Sequence, residues 1–173
     1  MSIYSFEGKI PRIDASAYVD AQATIIGDVT IGPNCYIAAG ARLRGDWGFI
    51  SIGAGSNVQE NAVLHASEEF PAIIGKSCQV GHGAIIHGAK VGERATIGMG
   101  AILQDGAEIG DGAIVGSGAV VLNGERVPAG KLAVGLPANV VGEVTEAQRE
   151  HFWKGTGLYQ ALPARMEKGL KEV

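Results

Sequence analysis

The sequence predicts an all-β fold, a left-handed parallel β-helix of hexapeptide repeats in about six coils, with a C-terminal α-helical tail. Three observations carry that prediction. Aliphatic residues recur every six positions, beginning Ile13, Val19, Ile25, Ile31, Ile37, Leu43. Four places after most of them sits a small residue, such as Ala17, Ala23, Cys35, Ala41, Ala62, Cys78 and Ala84. The chain also holds 27 glycines but only 6 % aromatics, without a collagen period. An α-helix repeats at about 3.6 residues and a half-buried strand at about 2, so neither accounts for a strict six.

Each hexad reads as a short strand plus a turn, three hexads close one triangular coil, and stacked coils bury a continuous core. After a break the aliphatics resume at Ile52, Val58, Leu64, then at Ile74, Val80, Ile86. A step shortened by one residue leads to Val91, Ile97, Leu103, Ile109, Val115 and Val121. Trp47 and Lys90 break the small-residue rule where the period itself is disturbed. This pattern defines a β-helix domain over residues 1–144 and a tail over 145–173, expected to pack along the prism. In the tail, Thr145 and Gln148 have capping-box spacing. They open a helix that the glycines at 155 and 157 are expected to end. A second helix is expected beyond, with Leu158, Leu162, Met166 and Leu170 on one stripe and Pro163 as an irregularity.

A net charge of −4 with 18 % charged residues points away from nucleic acid and anionic membranes as partners. No apolar run approaches the ~20 residues of a membrane span, and the N-terminus lacks a signal-peptide core, so a cytoplasmic protein is expected. Two cysteines make no disulfide framework. Cys35 and Cys78 fall in the small inward slot of their hexads and read as core.

Positions three hexads apart stack on one wall. Just after the aliphatic, one wall reads Ile26, Arg44, His65, His87, Gln104, Leu122, where the other walls carry mostly glycine or alanine. A wall so decorated is a candidate contact surface. His65 and His87 are neighbours in that column, 22 residues apart against 18 for a regular coil, and ASEEFP absorbs the excess as a loop. Coils about 4.8 Å apart bring two imidazoles within reach of one metal ion. His82 is placed one coil above Gln59 on the preceding wall, out of reach of that ion within its own chain. A threefold assembly would bring one subunit's His82 to the next subunit's pair. His151, in the tail, reads as a solvated or packing residue.

LRGDWG (43–48), NVQENAVLH (57–65), IGKSCQVGHGAIIHG (74–88) and VGLPANVV (134–141) together resemble the γ-class carbonic anhydrase-like proteins. YSFEGKIP and TGLYQAL look like the bacterial branch encoded with carnitine and phenylacetate metabolism. The resemblance implies a homotrimer with interfacial metal sites, Zn2+ with Fe2+ or Co2+ as alternatives, ligated by His65 and His87 of one subunit and His82 of its neighbour. It implies a lyase that hydrates CO2 reversibly to bicarbonate, the ion lowering the pKa of its water toward ~7. Gln59 matches the orienting residue, and Tyr159 a tyrosine near the metal. Arg44 and Asp46 match an interface pair, with Arg44 reaching Glu60 across the boundary. Trp47 replaces the glutamate that exports protons in the archetype, and Glu68 in the short loop is the remaining candidate for that role. The alternative expectations are an acyl-CoA thioesterase, or a non-catalytic accessory protein of acyl-CoA metabolism, using the same metal site.

Overall fold

A computed structural model describes residues 2–171; the outermost residue of the 1–144 range and the last two of 145–173 lie outside the described residues. The aliphatic positions drive a parallel β-helix of three walls. On the first, the histidine wall, Thr24–Ile31, Arg42–Ile52, Val63–His65, Ile85–His87, Ile102–Leu103 and Val120–Val121 pair in parallel. The two long strands bend round a corner into the second wall and continue there with Ala72–Ile74, Lys90–Val91, Glu108–Ile109 and Arg126–Val127. The third wall stacks Tyr18–Val19, Tyr36–Ile37, Asn57–Val58, Gln79–Val80, Thr96–Ile97, Ile114–Val115 and Lys131–Val134.

Seven parallel strands on the third wall make about seven coils, one more than the hexad count predicts. One addition breaks the six-residue rule and the other continues it, since the buried Val127 and Ala133 extend the period beyond Val121. Ser2–Tyr4 pairs with Thr24–Ile26 at one end, and Lys131–Val134 pairs with Ile114–Val115 at the other. Asn139–Glu143 then turns back antiparallel on Lys131–Val134 and closes that end.

The core is the predicted ladder. Ile25, Leu43, Leu64, Ile86, Leu103 and Val121 lie one above another and are buried. Each such side chain contributes roughly 1.5–3 kcal/mol by leaving water. Cys35 and Cys78 are buried among them as free thiols. Where the hexad breaks, Ile50, Ala66, Ala72 and Ala89 take the inward slots, which leaves Trp47 and Lys90 outside.

The tail corrects the expectation of two helices. A single helix, Glu146–Gly169, runs through both glycines and Pro163, with Thr145 and Gln148 forming a full capping box. Docking overrides local propensity here. Gly155 lets the helix approach Gln79, whose Nε2 donates to the Phe152 carbonyl (2.7 Å) and to Thr156 Oγ1 (3.1 Å). Two turns later, Gln160 Nε2 donates to the Gly55 carbonyl at 3.1 Å. The helix therefore lies on the third wall. No helix among the described residues is long and apolar enough to cross a membrane.

Candidate functional site

Register brings the predicted pair together. Arg44, His65 and His87 are successive partners on the histidine wall, and His65 Nδ1 lies 3.0 Å from His87 Nε2. The outward nitrogen of each ring meets a carboxylate. His65 Nε2 is 2.9 Å from Asp46 Oδ1, and His87 Nδ1 is 2.8 Å from Asp105 Oδ1. A carboxylate only accepts when ionised, so each of those nitrogens carries the proton. The two facing nitrogens then both present lone pairs at 3.0 Å. They repel unless a proton or a metal ion lies between them.

Asp46 is itself secured. Burial raises its pKa, but hydrogen bonds from His65 and Arg44, and from the Trp47 amide, outweigh burial and hold the carboxyl at about 2. Arg44 pairs with Asp46 inside the chain. Asp105 reaches His87 past Gly88, which sits at φ +60°; a Cβ there would collide with the Asp105 carboxylate and with Phe70.

His82 is not above Gln59 as the spacing suggested. Val58 pairs with Val80, which places His82 over Glu60, and Gly83 N–H donates to the Glu60 carbonyl at 2.9 Å. The step from Val58 to Val80 is 22 residues, the same as from His65 to His87, so His82, two places after Val80, faces Glu60, two places after Val58. Glu60 Oε2 approaches His82 Nδ1 at 2.6 Å, yet off the geometry of a hydrogen bond. It is the buried side-chain oxygen left without a partner among the described residues. His82 does not join His65 and His87 within one chain, and no three His, Cys, Asp or Glu side chains among the described residues form a metal cluster. The donor set nonetheless fits a cation: two convergent imidazoles with carboxylates behind them, and a third imidazole exposed nearby in sequence.

Gln59 is buried, with Nε2 donating to Asn57 Oδ1 at 2.9 Å. Tyr159 comes from the helix and packs on Tyr36, ring centres 5.7 Å apart. Burial and then the nearby Glu60 carboxylate raise the Tyr159 phenol above its ordinary pKa; the same two causes, in that order, lead those that push Tyr36 to about 12. Tyr159 therefore stays an O–H donor near neutrality. Glu68 lies exposed in a loop mouth with Trp47 and Phe70. Trp47 is 63 % exposed and tilts over His65 at 5.9 Å.

Asp105 is the residue that sequence reasoning missed. Spacing gave no direct signal for it: the residue stacked on His87 in the next coil is Gln104, and Asp105 lies one place beyond.

Similarity to known proteins agrees with this geometry in part. The bacterial transferase hexapeptide family (six repeats) matches residues 11–45 and 88–123. The carnitine operon protein CaiE of Salmonella typhi is 41 % identical over 175 residues, covering all of this chain and 87 % of the relative. The chain belongs to the CaiE family of hexapeptide-repeat proteins. Among solved structures, a Bacillus cereus protein assigned as an acetyltransferase is 36 % identical with a TM-score of 0.95, covering 96 % of this chain and 97 % of that one. A hexapeptide transferase family protein from Anaplasma phagocytophilum is 35 % identical with a TM-score of 0.91, covering 94 % and 96 %. These relatives overturn the carbonic anhydrase lyase expected from the resemblance and point to an acyltransferase-like family.

Proposed function

We propose that this member of the CaiE family transfers acyl groups from coenzyme A thioesters, at a metal site shared between subunits of a homotrimer. The observation that carries the proposal is the His65–His87 pair, whose facing nitrogens are 3.0 Å apart and whose outward nitrogens are held by Asp46 and Asp105. His82 of a second copy would complete a three-imidazole set, with Zn2+, Fe2+ or Co2+ as the ion. When bound, that ion would supply Lewis-acid polarisation of an oxygen at the reaction centre. Arg44 pairs with Asp46 and Glu60 lies against His82 within one chain, so an interface pair between Arg44 and Glu60 would need both to exchange partners on assembly.

The remaining chemistry falls to this chain's own residues. Asp46 and Asp105 fix the tautomers of His65 and His87, so neither ring reorients as substrate enters. Gln59, with its amide N–H engaged by Asn57, keeps its carbonyl oxygen as an acceptor for the attacking O–H. Tyr159 offers a protonated phenol. In the overall reaction the acceptor oxygen bonds to the acyl carbon, the carbon–sulfur bond breaks, and CoA leaves as the thiol carrying the acceptor's proton. With water as acceptor the protein is a thioesterase; with an alcohol it is a transferase.

CoA release from acetyl-CoA and hexanoyl-CoA tests this, using metal-quantified protein with water alone or with L-carnitine, the acceptor suggested by the name of the Salmonella relative. Activity is expected in the wild type and lost in His87→Ala. Release no faster than in His87→Ala, with zinc, cobalt and anaerobic iron alike, would overturn catalysis. It would favour the accessory role that the name of that operon protein also suggests.

A further inference from the structure

A cleft of about 390 Å3 opens between the third wall and the C-terminal helix, and none of the candidate-site roles above uses its interior. One end holds Gln59, His82 and Tyr159. Its body is mostly apolar, formed by Met99 and Ile114 on the coils and Phe152 on the helix, with Gln79, Thr96, Ser117 and His151 also on the lining. The floor is deep because Gly81, Gly98 and Gly116 stack without side chains; a Cβ on any of them would strike the next coil. Backbone stacking thus leaves a trough along the wall, and the helix roofs it.

We infer that this cleft holds the acyl group of the thioester and sets which acyl lengths the protein accepts. This rests on the acyl-CoA reading above. The cleft meets the candidate site in the proposed assembly, where its His82 and Gln59 would face the His65–His87 pair of a neighbouring copy. No lining residue is Lys, Arg, Asp or Glu, so nothing there balances the phosphates of CoA, whereas an apolar chain gains by entering. The occupant is therefore the acyl portion, with the thioester at the polar end and the nucleotide outside. Met99 is the length gauge: it lines the cleft from an exposed turn, 56 % accessible, where a bulkier side chain would shorten the space.

The test uses assembled protein labelled with 13C at the methionine methyls, titrated with S-hexyl-CoA (a thioether that resists turnover) and with CoA. The Met99 resonance is expected to move with S-hexyl-CoA and to stay in place with CoA, with Met166 as internal reference. Met99→Trp, at an exposed turn, is expected to weaken S-hexyl-CoA binding roughly tenfold, the factor for keeping two methylenes in water. In turnover it should shift the preference from hexanoyl- toward acetyl-CoA by a similar factor. Equal Met99 shifts with CoA, binding that leaves Met99 unmoved, or no binding of S-hexyl-CoA would each overturn the inference. Because this binding does not need catalysis, a Met99 response in a protein that releases no CoA would sink the transferase reading and leave the cleft assignment standing.

Discussion

Replacing Asp46 or Asp105 by asparagine probes the candidate metal site through its supports rather than its ligands. The two aspartate–histidine pairs have nearly equal lengths, 2.9 and 2.8 Å, but unequal surroundings. The side chains of His65 and Asp46 are 10 % and 12 % exposed; those of His87 and Asp105 are 42 % and 29 % exposed. Partners of this kind are worth roughly 10- to 100-fold in metal affinity, and water screens the more open pair. Asp46→Asn should therefore weaken zinc binding by about 100-fold and Asp105→Asn by about 10-fold, or ~2.7 and ~1.4 kcal/mol. Asparagine keeps an acceptor oxygen in place, so the change reads the lost charge rather than a lost ring position. The assay is competition for Zn2+ against a chromophoric chelator at fixed pH, with light scattering confirming a mass of three times the 17.8 kDa chain in every sample. The reasoning fails if both variants bind within twofold of the wild type, or if Asp105→Asn is the more damaging.

Three further outcomes follow from the fold. Leu64→Ala empties a fully buried position beneath the histidine wall and should cost ~2–5 kcal/mol in denaturant unfolding; a cost below 1 kcal/mol would mean the coils collapse to fill it. Gly88→Ala, at φ +60° and against Asp105, should destabilise the protein and weaken zinc binding together, whereas Gly112→Ala, at φ +61° facing open space, should affect stability alone. Burial pushes the Cys78 thiol from 9.0 up to about 12. The folded state therefore retains a proton that the unfolded chain releases above pH 9, so stability is complete below that pH and falls as pH rises toward 12. At pH 10.5 the loss should be roughly 2 kcal/mol. Cys78→Ala should remove that share and leave the losses that Cys35, Tyr36 and Tyr159 add through their own raised values, and a thiol reagent should leave native Cys78 unmodified at pH 8.

The correction from lyase to acyltransferase-like family has a simple physical source. The motifs around His65, His82 and His87 describe how imidazoles are held, and many reactions can be run from the same scaffold. What distinguishes them is the surrounding surface: the indole of Trp47, already legible in the sequence, lies beside His65, and a cleft without Lys, Arg, Asp or Glu opens beside His82. Motif spacing is silent about the cleft.

Six-residue spacing determined the inward aliphatic ladder, the three walls and the stacking of Arg44, His65 and His87, because covalent periodicity converts directly into position on a regular solenoid. Irregular stretches carried no such rule. The coil built by Ser2–Tyr4 and the reach of Asp105 to His87 past Gly88 depend on how loops and corners are absorbed in three dimensions. The unbroken helix was likewise decided by docking, since contacts with Gln79 and Gly55 outweigh the local cost of two glycines and a proline. Local sequence sets what each coil contributes; only packing sets which contributions meet.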